Sequence, residues 1–540
     1  MSESALTRRD ALKVSLLGAA ALAVPWQAAL SAKTASLINR DRIPRPYTVE
    51  FARPPVLVPT RTDATTDYYR IVQKPFVAEI LPRVPTTLWG YNGMVPGPTI
   101  KVRRGRRVVM RQVNMLPSRH PTLGYTPWTS THLHGHPSLP QYDGYASDIS
   151  LPRPDTSSPG QWKDYVYENE EEARTLWYHD HGVHHTAENV YMGLAAQYHL
   201  IDPREEAAVP LPRGNYDVPL ILSDVKFAQD GSLLWDDDAH NSHFGDVILV
   251  NGKPWPSMRV EQRKYRFRIL NGCISRGFTL ALSNGQPMTV VATDGGLMTT
   301  SRPLTSLRIG MAERYEVVID FAALPVGTKI RLINRSTANS VDYDDTGKVM
   351  QFEVIGPATD PRFNSVPTTL LQTPHPAMAL KASQAKRTRR MRLKHDDVTN
   401  EWTIDGKTWQ HVVDSGFTML FANPQPGDVE LWEIETSGGG WFHPLHIHFV
   451  DFQVLTRNGG PPRPEERGPK DVVYVDEDSR LRLLMQFSQV GGRHGRYMIH
   501  CHNLTHEDHD MMTQFQIGGH AADVDPIEAA RPTFDLETPL

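Results

Sequence analysis

Asn92-Gly93-Met94-Val95-Pro96-Gly97-Pro98 leads into Ile100-Lys101-Val102 and then into the run Arg107 to Asn114. The same succession of signals returns twice. Asn251-Gly252-Lys253-Pro254-Trp255-Pro256 precedes Arg259-Val260 and Lys264 to Asn271, and a weaker copy opens at Asp405-Gly406-Lys407 and runs through Pro426-Gly427-Asp428 to Val429 to Ile434. The starts lie about 155 residues apart, the signature of a unit used three times. Around them, runs such as Tyr265 to Leu270, Tyr315 to Phe321 and Leu481 to Phe487 alternate inward and outward side chains, with Gly, Pro, Asn and Asp between them. Long amphipathic helices are scarce, so the fold class expected is all-β, as sandwiches or barrels.

Working outward from the repeat gives domains at 45–203, 204–357 and 395–519, a linker at 358–394 and a peripheral tail at 520–540. The linker is Pro-rich and then basic, with Lys386, Arg387, Arg389, Arg390, Arg392 and Lys394 close together. That run reads as a solvated linker and strand face rather than an anion site.

With 39% hydrophobic and 22% charged residues among 540, the chain has the balance of a folded protein and not of a disordered one. Its 57 Lys and Arg against 61 Asp and Glu give a net charge of −4, which leaves no global positive field to hold a phosphate backbone; nucleic acid is not an expected partner. Two cysteines, Cys273 and Cys501, cannot build a disulfide framework. The N-terminus reads Thr7-Arg8-Arg9-Asp10-Ala11-Leu12-Lys13, then an apolar stretch from Val14 to Val24, then small residues near Ala28 to Ala35. It resembles a twin-arginine export signal over residues 1–32, although Ala11 stands where an aromatic or Leu is usual. The apolar core is shorter than the ~20 residues that span a bilayer. The expectation is an exported protein, periplasmic or extracellular, that meets the twin-arginine machinery as a precursor and has no membrane span.

The 23 histidines are not scattered. They form His132-Leu-His134, His179-Asp-His181, His443-Pro-Leu-His446-Ile-His448 and His500-Cys501-His502, followed by His506 and Met511. In a strand, residues i and i+2 project from one face, so each His-x-His aims two imidazoles at one volume. One such pair is readily a pair of hydrogen-bonded core histidines; four pairs point to metal. Cys501, His506 and Met511, with a histidine of the preceding cluster, offer one thiolate, two imidazoles and a weak thioether, the ligand set of a blue-copper electron-transfer site. Because His500 and His502 flank Cys501, their side chains face away from its sulfur, and one strand links two metal sites.

The four motifs, in this order over three β units, resemble the multicopper oxidases over nearly all of the mature chain. The resemblance implies three cupredoxin-like Greek-key domains and copper, four ions per chain, with the type 1 ion in the third domain and a trinuclear cluster between the first and third. Matched position by position, His443, Cys501, His506 and Met511 are the type 1 ligands, Met512 being a competitor that the spacing disfavours. His132 and His446 match the type 2 ligands, and His134, His179, His181, His448, His500 and His502 match the type 3 pair. Gly438 to His448 and His500 to Met512 look more particularly like the bilirubin oxidases and the bacterial spore-coat type of laccase. Trp441 matches a Trp of the former, a substrate residue by that analogy and otherwise a core or edge aromatic.

The resemblance further implies that a small aromatic donor gives up single electrons through an exposed His443 or His506, and that dioxygen is reduced to water at the cluster. Protons must come from carboxylates; Glu507 and Asp143 match the acids that deliver them, and each could instead orient a ligand or face solvent. Asp180 is expected on the opposite strand face, and His136, His184, His185 and His509 outside the ligand set. The function expected is a laccase-like oxidase of phenolic and related aromatic donors. Bilirubin oxidation is the alternative; cuprous-ion oxidation is disfavoured by the lack of a Met-rich segment, and a mere copper or electron carrier by the eight additional histidines.

Overall fold

The computed structural model describes residues 35–155, 160–237, 241–436, 441–487 and 495–519. The expected export signal at 1–32 and the tail at 520–540 lie outside the described residues. Among the described residues, helices reach only 6 residues, as in Thr186–Tyr191, and none is long and apolar enough to cross a membrane. The chain is all-β, built of three successive units of two sheets each.

The repeat is physical. Asn92 and Gly93 have φ of 57° and 73°, Asn251 and Gly252 of 50° and 74°, and Asp405 and Gly406 of 53° and 71°. Two consecutive left-handed residues make the tight turn that Asx-Gly pairs favour. In each copy the Asx side chain accepts a hydrogen bond at 2.8 Å from a backbone N–H of the unit's long leading strand, that of Val72, Ile221 or Arg392. That strand also pairs parallel with a later one in every unit: Thr66–Ala78 with Arg107–Asn114, Asp217–Val225 with Lys264–Asn271, and Arg387–Asp396 with Val429–Thr436. Parallel neighbours require a crossover, which a simple meander lacks, so the three units share a Greek-key connection.

The basic run belongs to the third unit. Arg387–Asp396 is an interior strand of the five-stranded sheet, with Met391 and Leu393 buried and Arg390, Arg392 and Lys394 exposed. Arg389 and Arg390 pair with Glu430 and Glu433 on the parallel neighbour. The expected linker at 358–394 therefore yields its last eight residues, 387–394, to this strand; the dense charge masks the alternation of its two apolar residues.

The site lies where the first and third units meet. In the first, a four-stranded sheet runs Ile100–Arg103, Ala195–Ile201, Arg174–Asp180, Thr131–His134; in the third, another runs Val472–Val475, His443–Ile447, Gly495–Cys501, Met512–Ile517. The seam is tied by Asp508, whose carboxylate oxygens accept from the backbone N–H of Thr186 at 2.9 Å and of Ala187 at 2.6 Å, capping a helix of the first unit from the third.

Candidate metal centres

Register delivers the histidines in pairs. His132 lies opposite His179 across antiparallel strands of the first unit, and His446 opposite His500 across those of the third. The two sets then meet across the seam: His132 Nε2 is 3.3 Å from His446 Nε2, and His181 Nε2 is 3.2 Å from His500 Nε2. His448 Nε2 also lies 3.2 Å from His500 Nε2. Ring centroids of His134, His179 and His502 are 5.2 to 5.8 Å apart. All eight expected imidazoles converge on one buried volume.

The hydrogen bonds show which nitrogens face it. His132 Nδ1 donates to the Asp143 carbonyl at 2.6 Å, His179 Nδ1 to the Asp180 carbonyl at 2.7 Å and His446 Nδ1 to the Asp471 carbonyl at 2.9 Å. His448 Nδ1 donates to Asp143 Oδ2 at 2.8 Å and His500 Nδ1 to the Cys501 carbonyl at 3.2 Å, with Glu507 Oε2 also facing that nitrogen at 2.8 Å. Each of these rings spends its N–H outward and presents a bare Nε2 lone pair inward. His134 is turned round, with Nε2 on Asp471 Oδ1 at 3.2 Å and a buried Nδ1 that has no protein partner. His179 Nε2 and both nitrogens of His502 are likewise buried without a partner. Lone pairs facing one another at hydrogen-bond distance, with no proton to share, repel unless a cation lies between them, and buried polar atoms are otherwise almost always paired. Burial, reinforced by neighbouring rings, holds His132, His134, His446, His448 and His502 well below the usual imidazole value, so these rings are neutral.

Cys501 takes the other side of its strand. Its Sγ is 3.4 Å from His443 Nδ1 and 3.7 Å from His506 Nδ1, and those two nitrogens are 3.3 Å apart. Such a triangle accommodates one ion at the bond lengths of about 2.0 Å to nitrogen and about 2.3 Å to sulfur usual for a soft divalent metal. Burial pushes the Cys501 thiol far up, so the thiolate needs a cation beside it. Met511 is buried in the same apolar cluster as Cys501, whereas Met512 packs into a separate one with Tyr145 and Trp409. The sulfur expected as the axial ligand is thus on the Cys501 side.

Both expected acids stand behind the converging histidines. Asp143 backs His132 and His448, as above, and Glu507, besides His500, faces His181 Nδ1 at 3.6 Å. Burial drives the Asp143 carboxyl well above its ordinary value, against the pull of Lys163. Burial also pushes Glu507 up, but His500 and His181 outweigh it and hold the carboxyl at about 2. Asp180 ties down the local loops, accepting from Ser130 N–H and the Asn189 amide at 2.8 Å each. His136 hydrogen-bonds Ser138, His184 and His509 face Asp510 and Asp237, and His185 stacks on Tyr125. Cys273 is a buried free thiol in the core of the second unit.

One expectation is corrected. His443 and His506 are not exposed; they are 3% and 0% accessible. Trp402 stacks on His506 with ring centroids 3.7 Å apart at 21°, and Trp441, partly exposed, stands edge-on to the same ring at 5.5 Å. Trp402 comes from strand Glu401–Ile404, and no ligand spacing marks it. Asp471 and Arg314 escape a sequence reading for the same reason: they reach the histidines only through long-range contacts.

Sequence models of the family described as multicopper oxidase match residues 76–205, 217–341 and 384–520. The chain is similar to the bilirubin oxidase of Albifimbria verrucaria, 40% identical over 492 residues that cover 87% of this chain and 81% of that protein. It is also similar to the laccase of Bacillus subtilis (strain 168), 33% identical over 513 residues that cover 86% of this chain and 97% of that one. Among solved structures, the 2F4 variant of the McoA multicopper oxidase from Aquifex aeolicus superposes with a TM-score of 0.76 at 27% identity, covering 87% of this chain and 100% of that one. Three successive matched domains and full-length relatives at this identity leave one conclusion: the chain belongs to the multicopper oxidases.

Proposed function

We propose that this oxidase is laccase-like and holds four coppers, one at His443, Cys501, His506 and Met511 and three among the eight converging imidazoles. His132 and His446 would hold the type 2 ion, His134, His179 and His502 one type 3 ion, and His181, His448 and His500 the other. Bound there, copper supplies one-electron oxidation of a phenolic or related aromatic donor and four-electron reduction of dioxygen to water. The observation that carries the reading is the segment His500-Cys501-His502, which puts a sulfur in one centre and an imidazole on either side of it into the other.

The protein's own groups supply the rest. The peptide between Cys501 and its neighbours gives a covalent route from one centre to the other. Trp441, partly exposed beside His506, is the contact offered to a donor. Asp143, with its carboxyl biased to the protonated form and Oδ1 buried without a hydrogen-bond partner, is a place to hold a proton at the edge of the cluster. Glu507, biased to the ionised form, faces His500 Nδ1 at 2.8 Å and favours that ring's orientation by charge.

Copper quantification with absorption spectroscopy, followed by oxygen uptake with a dimethoxyphenol, tests this; about four coppers, an intense blue band and donor-dependent uptake are expected. A colourless protein loaded with copper would contradict the ligand assignment. The 40% identity to a bilirubin oxidase and the place of Trp441 favour tetrapyrroles as the second donor class, and relative kcat/KM on bilirubin and the phenol separates the two. The twin-arginine-like leader supports export of the folded, loaded enzyme, which fractionation of cells bearing an Arg8→Lys, Arg9→Lys precursor checks.

A further inference from the structure

The second unit contributes no imidazole to either centre, yet one of its side chains reaches the cluster. Arg314 opens strand Arg314–Asp320 of that unit and is 0% accessible. Its Nε donates to the Thr175 carbonyl of the first unit at 3.1 Å. Its Nη1 donates to Asp471 Oδ1 of the third at 2.7 Å, and Nη2 donates to Asp471 Oδ2. A guanidinium fork of this kind fixes the plane of a carboxylate. Asp471 then touches two of the eight histidines: Oδ1 faces His134 Nε2, and the backbone carbonyl accepts from His446 Nδ1.

Asp294 of the second unit locks the arrangement. It accepts from Arg314 N–H at 2.7 Å and from the N–H groups of Asp471 and Val472 at 3.3 Å each, and it pairs with Lys470 Nζ at 2.9 Å. Gly135, with φ of +88°, lies against the pair so closely that a Cβ there would be 2.6 Å from both Arg314 Nη2 and Asp471 Oδ2. Five of the eight rings, His500 through the Cys501 carbonyl, donate through Nδ1 and face the cavity with Nε2. Only His134 is pinned at Nε2 by a carboxylate and offers Nδ1, so its inverted orientation depends on where that carboxylate is held.

We propose that Arg314, acting through Asp471, is a positioning residue that sets the inverted orientation of His134 and the ring plane of His446, so that the ligand-free second unit assembles the cluster. The inference rests on the copper reading of the site. Without the fork, Asp471 turns freely, His134 loses the partner that selects its tautomer, and the cluster binds metal less tightly while the centre at Cys501 is untouched.

The test uses copper-loaded wild type, Arg314→Met, Arg314→Lys, Asp471→Asn and Gly135→Ala, with Arg276→Met as control. The control breaks a fully buried Arg276–Asp224 pair in the same unit that makes no contact with either centre. Copper retention against a chelator is followed alongside the blue band and the melting temperature. Removing the partner of a ligating histidine typically weakens metal affinity about 10- to 100-fold. Arg314→Met and Asp471→Asn are expected to lose cluster copper at chelator concentrations lower by that factor while keeping the blue band, with Arg314→Lys intermediate. Arg276→Met is expected to melt lower yet retain its copper. Should Arg314→Met not fold, Arg314→Lys and Gly135→Ala are expected to lose cluster copper in the same direction by a smaller factor, again with the blue band kept. Variants that hold cluster copper as tightly as wild type overturn the inference, as do variants that shed both centres together in step with the control. A wild type that takes up no copper overturns the copper reading itself, and this inference with it.

Discussion

Replacing Glu507 with Gln separates the two halves of the reaction. Glu507 is 3% accessible, its Oε2 stands 2.8 Å from His500 Nδ1, and Oε1 faces His181 Nδ1 at 3.6 Å. Both oxygens face ring nitrogens, so Gln keeps one oxygen, removes the charge and turns its NH₂ towards the other ring. A hydrogen bond to a charged group contributes about 1.5–3 kcal/mol. At about 1.4 kcal/mol per tenfold, losing it from the ring that it orients costs about 10- to 100-fold in the step that needs that ring. The Cys501 side of the strand keeps its ring and sulfur contacts, because the Glu507 carboxylate meets His500 and His181 and not the triangle of His443, Cys501 and His506. Anaerobic stopped-flow bleaching of the blue band by a phenol should keep its wild-type rate, while steady-state oxygen uptake falls by that factor. Equal losses in both measurements, or none in oxygen uptake, would refute the reasoning.

Cys501→Ser should abolish the blue absorption and oxygen uptake together, leaving copper only at the cluster by quantification. Trp402→Ala should cost about 3–5 kcal/mol by denaturant melt, since it empties a fully packed ring site; Trp402→Phe, which keeps a ring against His506, should cost less and move the blue band less. Burial raises the Glu171 carboxyl from 4.5 to about 7. The folded state therefore holds its proton more tightly than the unfolded chain, a stabilisation present below pH 4.5 and lost as pH rises through 7. Glu171→Gln should match wild type near pH 4.5 and exceed it near pH 8 by up to about 3 kcal/mol, read from melts at the two pH values. Chelating the copper should lower the melting temperature, because the facing lone pairs lose the cation that only the folded state binds.

The Asx-Gly turns were legible because their chemistry is local: two left-handed residues and one side-chain acceptor carry the signal. The His-x-His pairs were legible because a strand's period of two converts spacing into direction. Burial of His443 and His506 was not, because the ring that covers His506 comes from Trp402, far upstream and in an ordinary strand. The boundary at 387 was obscured for a different reason: charged side chains filled both faces of a strand whose core contribution is only Met391 and Leu393. Arg314 and Asp471 carry no periodicity at all, and their meaning arises only when three units close on one another.

Adjacent residues with opposite directions explain why two centres coexist so near each other. Cys501 belongs to the core of the third unit, while His500 and His502 leave that core for the seam with the first. Met511 and Met512 repeat the division one strand later: Met511 lies with Cys501, and Met512 packs with Tyr145 of the first unit. A one-residue slip of either strand would exchange the sulfur and imidazole faces. The pairing of Leu445 with Cys501 and of His446 with His500 therefore fixes more than sheet geometry. It decides which atoms can meet a soft single ion and which can share a nitrogen-lined cavity, and the covalent distance between the two follows from it.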